Sequence, residues 1–351
     1  MELNKNNVRL TILALVIAAF GFANENSFGQ DSVFLIGGRP IRGKIANSTP
    51  DTIQVGTETV SIQDFKKISL AGEPSELKYA RIDIDQGKYN DAWEKLQKIT
   101  ETQTGMVLQE QQYVESFLMG KLSLQGGSIS TADARTKINQ YLQKYPNSFR
   151  VYPLTELHGE LLVAANELAQ AEAAFQQLSS AKVANYQIKN LFNLGQTQLL
   201  LDKFAAAKTT FEILQNHELN DVNAQNYKTL ARCQAAKAYV LSPQGQAEPA
   251  QAVIEKIIKN ENPDNTQLFA HCYNALGICH LKNNDDKGAA LAFLHTDLLF
   301  STEADAHAEA LYHLNKLWSK MEQNDRANRS RQILNANYGN SIWKSKMDTG
   351  S

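Results

Sequence analysis

The chain has few of the residues from which chemical sites are usually built. Three cysteines among 351 residues are too few, and an odd number, for a disulfide framework. Cys272 and Cys279 stand seven apart in one helical stretch, roughly 10 Å along its axis, beyond what a disulfide spans. Cys233 and Cys279 hold equivalent places in successive repeats, the pattern of buried thiols acting as small hydrophobes. Neither charge predominates: 35 Lys and Arg against 37 Asp and Glu leave a net −2, which excludes a global nucleic-acid or acidic-tail signature. No GxSxG elbow, phosphate loop, dinucleotide fingerprint or framed carboxylate pair occurs. Five of the seven histidines (His271, His280, His295, His307, His313) fall in one C-terminal stretch, but none forms an HExxH pair or joins cysteines at zinc spacing. Scattered structural histidines account for them. The expectation is a chain without a metal, a cofactor or catalysis.

What is present begins with an address. Lys5 and Arg9 precede an apolar run over residues 10–23 that ends in small residues, ahead of Asn24, Glu25 and Asn26. A basic start, an apolar stretch and a small-residue boundary describe a signal peptide over residues 1–23. The run is shorter than the roughly 20 apolar residues of a spanning helix, so cleavage and export to the periplasm or cell envelope are expected, an N-terminal membrane anchor being the alternative.

Between residues 31 and 70 the hydrophobic period is two. Val33 to Ile36 is apolar, Gly37-Gly38 turns the chain, and Ile41, Gly43 and Ile45 alternate with polar neighbours. A second turn at residues 47–51 leads to Ile53 and Val55, then Val60 and Ile62, then Phe65, Ile68 and Leu70. Five short strands in so few residues predict a small, strongly bent barrel rather than a lone hairpin. The order of apolar residues and glycines resembles an Sm-like or SH3-like barrel. Arg39, Arg42 and Lys44 could form a basic strand for RNA, but no aromatic platform is interleaved with them, and charged residues on the solvent face of a sheet suffice. No nucleic-acid partner is expected; a packing or docking module is.

From Ser75 a helical pattern repeats seven times. A small residue is followed, a dozen or so positions later, by a second one, usually with a bulky residue four beyond. The pairs are Ala80 and Ala92, Gly120 and Ala134, Gly159 and Ala171, Gly195 and Ala207, Ala231 and Ala250, Gly277 and Ala289, Asn315 and Ala327. The clearest copies add Phe175, Phe211 and Phe293. Small residues let paired helices approach where larger side chains would not, and bulky residues on the same face pack toward the neighbouring repeat. Pro146 and Pro263 fall just past helix ends, where proline cannot continue a helix. Each pair can bury its apolar face only against its neighbours, so the array is one continuous structure.

The pattern resembles the tetratricopeptide repeat family over residues 75–347. The fifth and seventh copies depart from it, Ala231 and Asn315 replacing glycine and Arg331 standing where an aromatic is expected. The resemblance implies a mainly α protein, a right-handed α-solenoid of about seven helical hairpins behind the small five-stranded barrel. It further implies a non-catalytic interaction scaffold that takes a peptide or partner protein on the concave face, lined by the first helix of each hairpin. Inward positions flanking the first small residues give Asn193, Gln196, Lys228, Arg232, His271, Asn274 and Lys316 as peptide-binding candidates, with Gln225 beside them and Lys282 and Lys320 one turn deeper. This face reads as polar and increasingly basic, which implies an acidic or carboxylate-bearing partner. The alternative role is an accessory or regulatory subunit of a cell-envelope enzyme or assembly complex.

Overall fold

A computed structural model describes residues 29–219 and 221–350; the segment read as a signal peptide lies outside the described residues. The described chain starts with strands β1 (Ser32–Leu35), β2 (Ile41–Arg42), β3 (Ile45–Ser48), β4 (Thr52–Val55), β5 (Glu58–Ser61) and β6 (Phe65–Ser69). They form two three-stranded antiparallel sheets, ordered β2-β1-β6 and β3-β4-β5. The strands number six rather than five because the second expected strand breaks at Gly43. A Cβ there would stand 3.2 Å from the Gly56 backbone nitrogen, so only glycine lets the two sheets close on each other at this corner. Asp31 ties the same corner, its carboxylate accepting from Ile45 N–H at 2.9 Å and Ala71 N–H at 2.8 Å.

Seven helical hairpins follow. They are α1 (Ser75–Asp85) with α2 (Tyr89–Leu96), α3 (Gly105–Leu124) with α4 (Thr131–Lys144), and α5 (Val151–Ala164) with α6 (Leu168–Ser179). Next come α7 (Ala184–Leu200) with α8 (Phe204–Gln215), and α9 (Val222–Leu241) with α10 (Ala247–Asn260). The last are α11 (Thr266–Lys282) with α12 (Asp286–Leu299), and α13 (Ala304–Lys320) with α14 (Asn324–Asn337), ahead of a short α15 (Ile342–Thr349). No helix among the described residues is long and apolar enough to cross a membrane.

One turn is reused along the array. Gly87, Asn166, Asp202, Asn284 and Glu322 all have positive φ. The next residue's N–H then reaches back across the helix end, as from Lys203 to the Gln198 carbonyl and from Gln323 to the Trp318 carbonyl. This satisfies carbonyls that a helix end leaves unpaired. The second small residues, from Ala92 to Ala327, are all buried. At Gly159, Gly195 and Gly277 the space is taken by a ring of the same hairpin. A Cβ on these glycines would lie 2.5, 2.5 and 2.6 Å from carbons of Phe175, Phe211 and Phe293. Gly120 differs, since its added Cβ would meet Leu157 of α5 at 2.5 Å.

The sheet region is built into the array. Its core of Val33, Ile53, Val55 and Ile68 is continuous with Phe149 and Val183, which precede α5 and α7. Arg150 fastens the joint. Its guanidinium lies 5.3 Å from the Phe65 ring, 4.7 Å from Phe149 and 4.3 Å from Tyr113, and donates to buried Glu110 at 2.6 and 3.1 Å. The Tyr152 hydroxyl donates to Asp51 at 2.6 Å.

Candidate functional site

The first helices of successive hairpins line the inside of the curve, and the last helix reaches back to the fourth hairpin. Lys346 Nζ donates to the Leu200 carbonyl at 3.5 Å, across 146 residues of chain. The result is a cavity of about 1030 Å³, walled by α3, α5, α7, α9, α11 and α13 and by the turn leading into α15. That is at the upper end of small-molecule pockets and admits a segment of extended chain.

Its floor is a buried polar cluster. Lys237 of α9 pairs with Glu309 of α13, both side chains less than a tenth exposed. Asn274 of α11 donates to Glu309 at 3.1 Å and to the Ala306 carbonyl at 2.8 Å. Burial alone would push the Glu309 carboxyl up, but Lys237 outweighs it and holds the group below the usual carboxylate range. Burial, aided by the Lys237 charge, pushes His271 down to about 4, and burial does the same to His313. Both imidazoles are therefore neutral near pH 7. His271 Nδ1, Asn274 Oδ1 and both amide atoms of Gln234 are buried with no hydrogen-bond partner among the described residues. Such atoms cost about 1–3 kcal/mol each when left unmade. Aromatic rings stand over this floor: Phe192 lies 5.7 Å from Tyr227 and 6.0 Å from His271, and Tyr312 lies 5.3 Å from Trp343.

The cavity brings together Asn193, Gln196 and His271 from the expected set. The others lie elsewhere. Asn274 sits beneath the floor, fully buried. Lys282 donates to the Ser242 carbonyl at 3.3 Å, Lys316 to the Tyr312 hydroxyl at 3.1 Å, and Lys320 pairs with Asp286 at 2.8 Å. Arg232 faces Glu261 at 3.6 Å. Lys228 stands beside His217, whose pKa is lowered by burial and by this charge.

Lys228 and Arg232 lie outside the cavity, although Tyr227 beside Lys228 lines it. Helix α9 has 20 residues where α7 and α11 have 17. The regular spacing of twelve back from Ala250 falls on Ala238, not Ala231. That register still leaves Arg232 six before the small residue, where Lys189 stands before Gly195, yet Arg232 faces Glu261 instead of the cavity. Lys237 is the α9 lysine in the cavity. Lys189 and Phe192 also line it, and their positions three and six before Gly195 were a usable signal.

The lining is balanced in charge: Lys121, Lys189, Lys237 and Lys346 face Glu160, Asp202, Asp305 and Glu309. Lys121 is paired with Glu160 at 2.7 Å, Lys189 with Glu156, and Lys237 with Glu309. Lys346 lies 5.4 Å from the Trp343 ring. Asp202 and Asp305 have no ion-pair partner among the described residues.

No protein-family model matches the sequence, and no curated protein matches it. Solved structures do share its shape. A tetratricopeptide repeat protein from Parabacteroides merdae is similar with a TM-score of 0.53 at 14% identity, over 78% of this chain and 96% of that one. A Rap protein complexed with competence and sporulation factor is similar with a TM-score of 0.53 at 12% identity, over 79% of this chain and 78% of its own. The chain has the tetratricopeptide-repeat fold, an α-solenoid with a small sheet region at its N-terminal end.

Proposed function

We propose that the protein is a non-catalytic scaffold that holds an extended segment of a partner protein inside the concave cavity. The carrying observation is the cavity itself, about 1030 Å³ with aromatic rings and polar side chains along a wall of first helices. Lys189, Phe192 and Gln196 of its lining are positions that do not repeat, whereas most repeating residues are consumed by packing. The similar Rap structure is a complex with competence and sporulation factor, which supports a binding role for this shape. The basic start and apolar run before Asn24 support export, with the scaffold working in the periplasm or envelope.

The test is affinity capture from an envelope extract on the immobilised chain and on Gln196→Trp, which obstructs the cavity. Partners held by the wild type should be lost by the variant while its unfolding midpoint stays put. Equal capture by both would remove the cavity from the account. One fixed stoichiometric partner would instead favour an accessory subunit of an envelope complex.

A further inference from the structure

The charges of the cavity are not equally satisfied. Lys121, Lys189 and Lys237 each have a carboxylate in contact, and Lys346 is held by the Leu200 carbonyl and the Trp343 ring, so they offer little to an acidic ligand. Asp305 is the opposite case. It lies in the first turn of α13 and lines the cavity with Glu309 and Tyr312, which follow at i+4 and i+7 on the same helix face. Glu309 is engaged by Lys237 and Asn274, while Asp305 has neither a hydrogen-bond nor an ion-pair partner among the described residues.

Water reaches Asp305, yet protein surrounds it across the cavity, and the Glu160 and Glu309 carboxylates add to that enclosure in holding its pKa above the usual range. A second, independent feature points to the same place. His271 lines the cavity and is only 6% exposed; its Nδ1 is sealed within the protein, while its Nε2 has no hydrogen-bond partner among the described residues. A neutral imidazole in that position exchanges hydrogen bonds with an uncharged donor or acceptor such as a peptide group.

We propose that the cavity selects extended peptides bearing a lysine or arginine, whose charge pairs with Asp305 while its stem lies against Tyr312 and Trp343 and its backbone meets His271. The proposal rests on the reading of the cavity as a peptide site and adds the sign of its ligand. Aromatic rings suit the stem and charge of such a residue. A carboxylate with no counter-ion gains more from a cation than one already paired.

The test is selection of random peptides displayed on phage against the immobilised full chain, Asp305→Lys and Gln196→Trp. The wild type should enrich lysine and arginine, and Asp305→Lys should enrich acidic peptides instead. The best basic peptide should bind Asp305→Asn roughly tenfold more weakly. Neutral or acidic peptides from the wild type, or the same peptides from Asp305→Lys, overturn the proposal while leaving the cavity reading intact. If Asp305 serves only the first turn of α13, its lysine variant lowers the unfolding midpoint without changing the selected peptides, which also overturns it. Unchanged selection by Gln196→Trp, or no enrichment at all, removes the cavity reading and this proposal together.

Discussion

A single methyl group marks the tolerance of the repeats. At Gly195 it would sit 2.5 Å from a carbon of the Phe211 ring, closer than any relaxed contact, and Phe211 is fully buried. Gly195→Ala should therefore cost about 1–3 kcal/mol through overpacking, and Phe211→Ala about 3–5 kcal/mol through the cavity it leaves. The two effects share one space. In urea unfolding, Gly195→Ala combined with Phe211→Leu should lose less than the sum of the single changes; strict additivity would mean that the glycine and ring do not oppose each other. This spacing is legible in the sequence because it lies within one hairpin. Its role there is finer than backbone approach, since the ring of the second helix fills the space.

At the scale of elements, the joint between the sheet region and the repeats depends on the turn between α4 and α5. Arg150 there stacks on Phe65 and Phe149 and neutralises Glu110, whose side chain is 1% exposed. Removing the guanidinium strands a buried carboxylate with only Arg81 at 3.8 Å. Arg150→Met should destabilise the protein by about 3–5 kcal/mol. Arg150→Lys should rescue little, because an ammonium cannot reproduce a planar fork stacked between rings. Unfolding midpoints of both variants decide this; a stable Arg150→Met would show that apolar packing alone holds the joint. No local pattern announced the joint, since Glu110, Arg150 and Phe65 come from three separate stretches. The strands number six instead of the expected five because alternation continues through Gly43 and only the close approach of Gly56 ends the strand.

At the scale of the molecule, the buried cluster that links α9, α11 and α13 makes stability depend on pH. His271 and His313 have folded pKa values of about 4 against 6.5 for the ordinary group. Below pH 6.5 the unfolded chain binds protons that the folded one refuses, so stability is complete above that value and falls as pH drops toward 4. At 1.36 kcal/mol per unit, each histidine contributes at most about 3 kcal/mol. Burial is the main cause for both, with Lys237 opposing protonation and Glu309 favouring it. Thermal midpoints measured from pH 7 to 4.5 should fall, and His271→Asn should flatten part of the decline; an unchanged slope would show that carboxylates alone drive it.

The sequence by itself determined the repeat fold, because the signals for a hairpin are small and large residues at fixed spacing within about 35 residues of chain. Asn193, Gln196 and His271 could be placed on the cavity for the same reason, standing close to a clear glycine. Only the tertiary structure decided the rest of the site. Arg232 faces Glu261 outside the cavity, and the cavity is bounded where Lys346 meets Leu200. The latter is a contact between distant turns of a superhelix, which sums small rotations over many repeats and leaves no mark in any one of them.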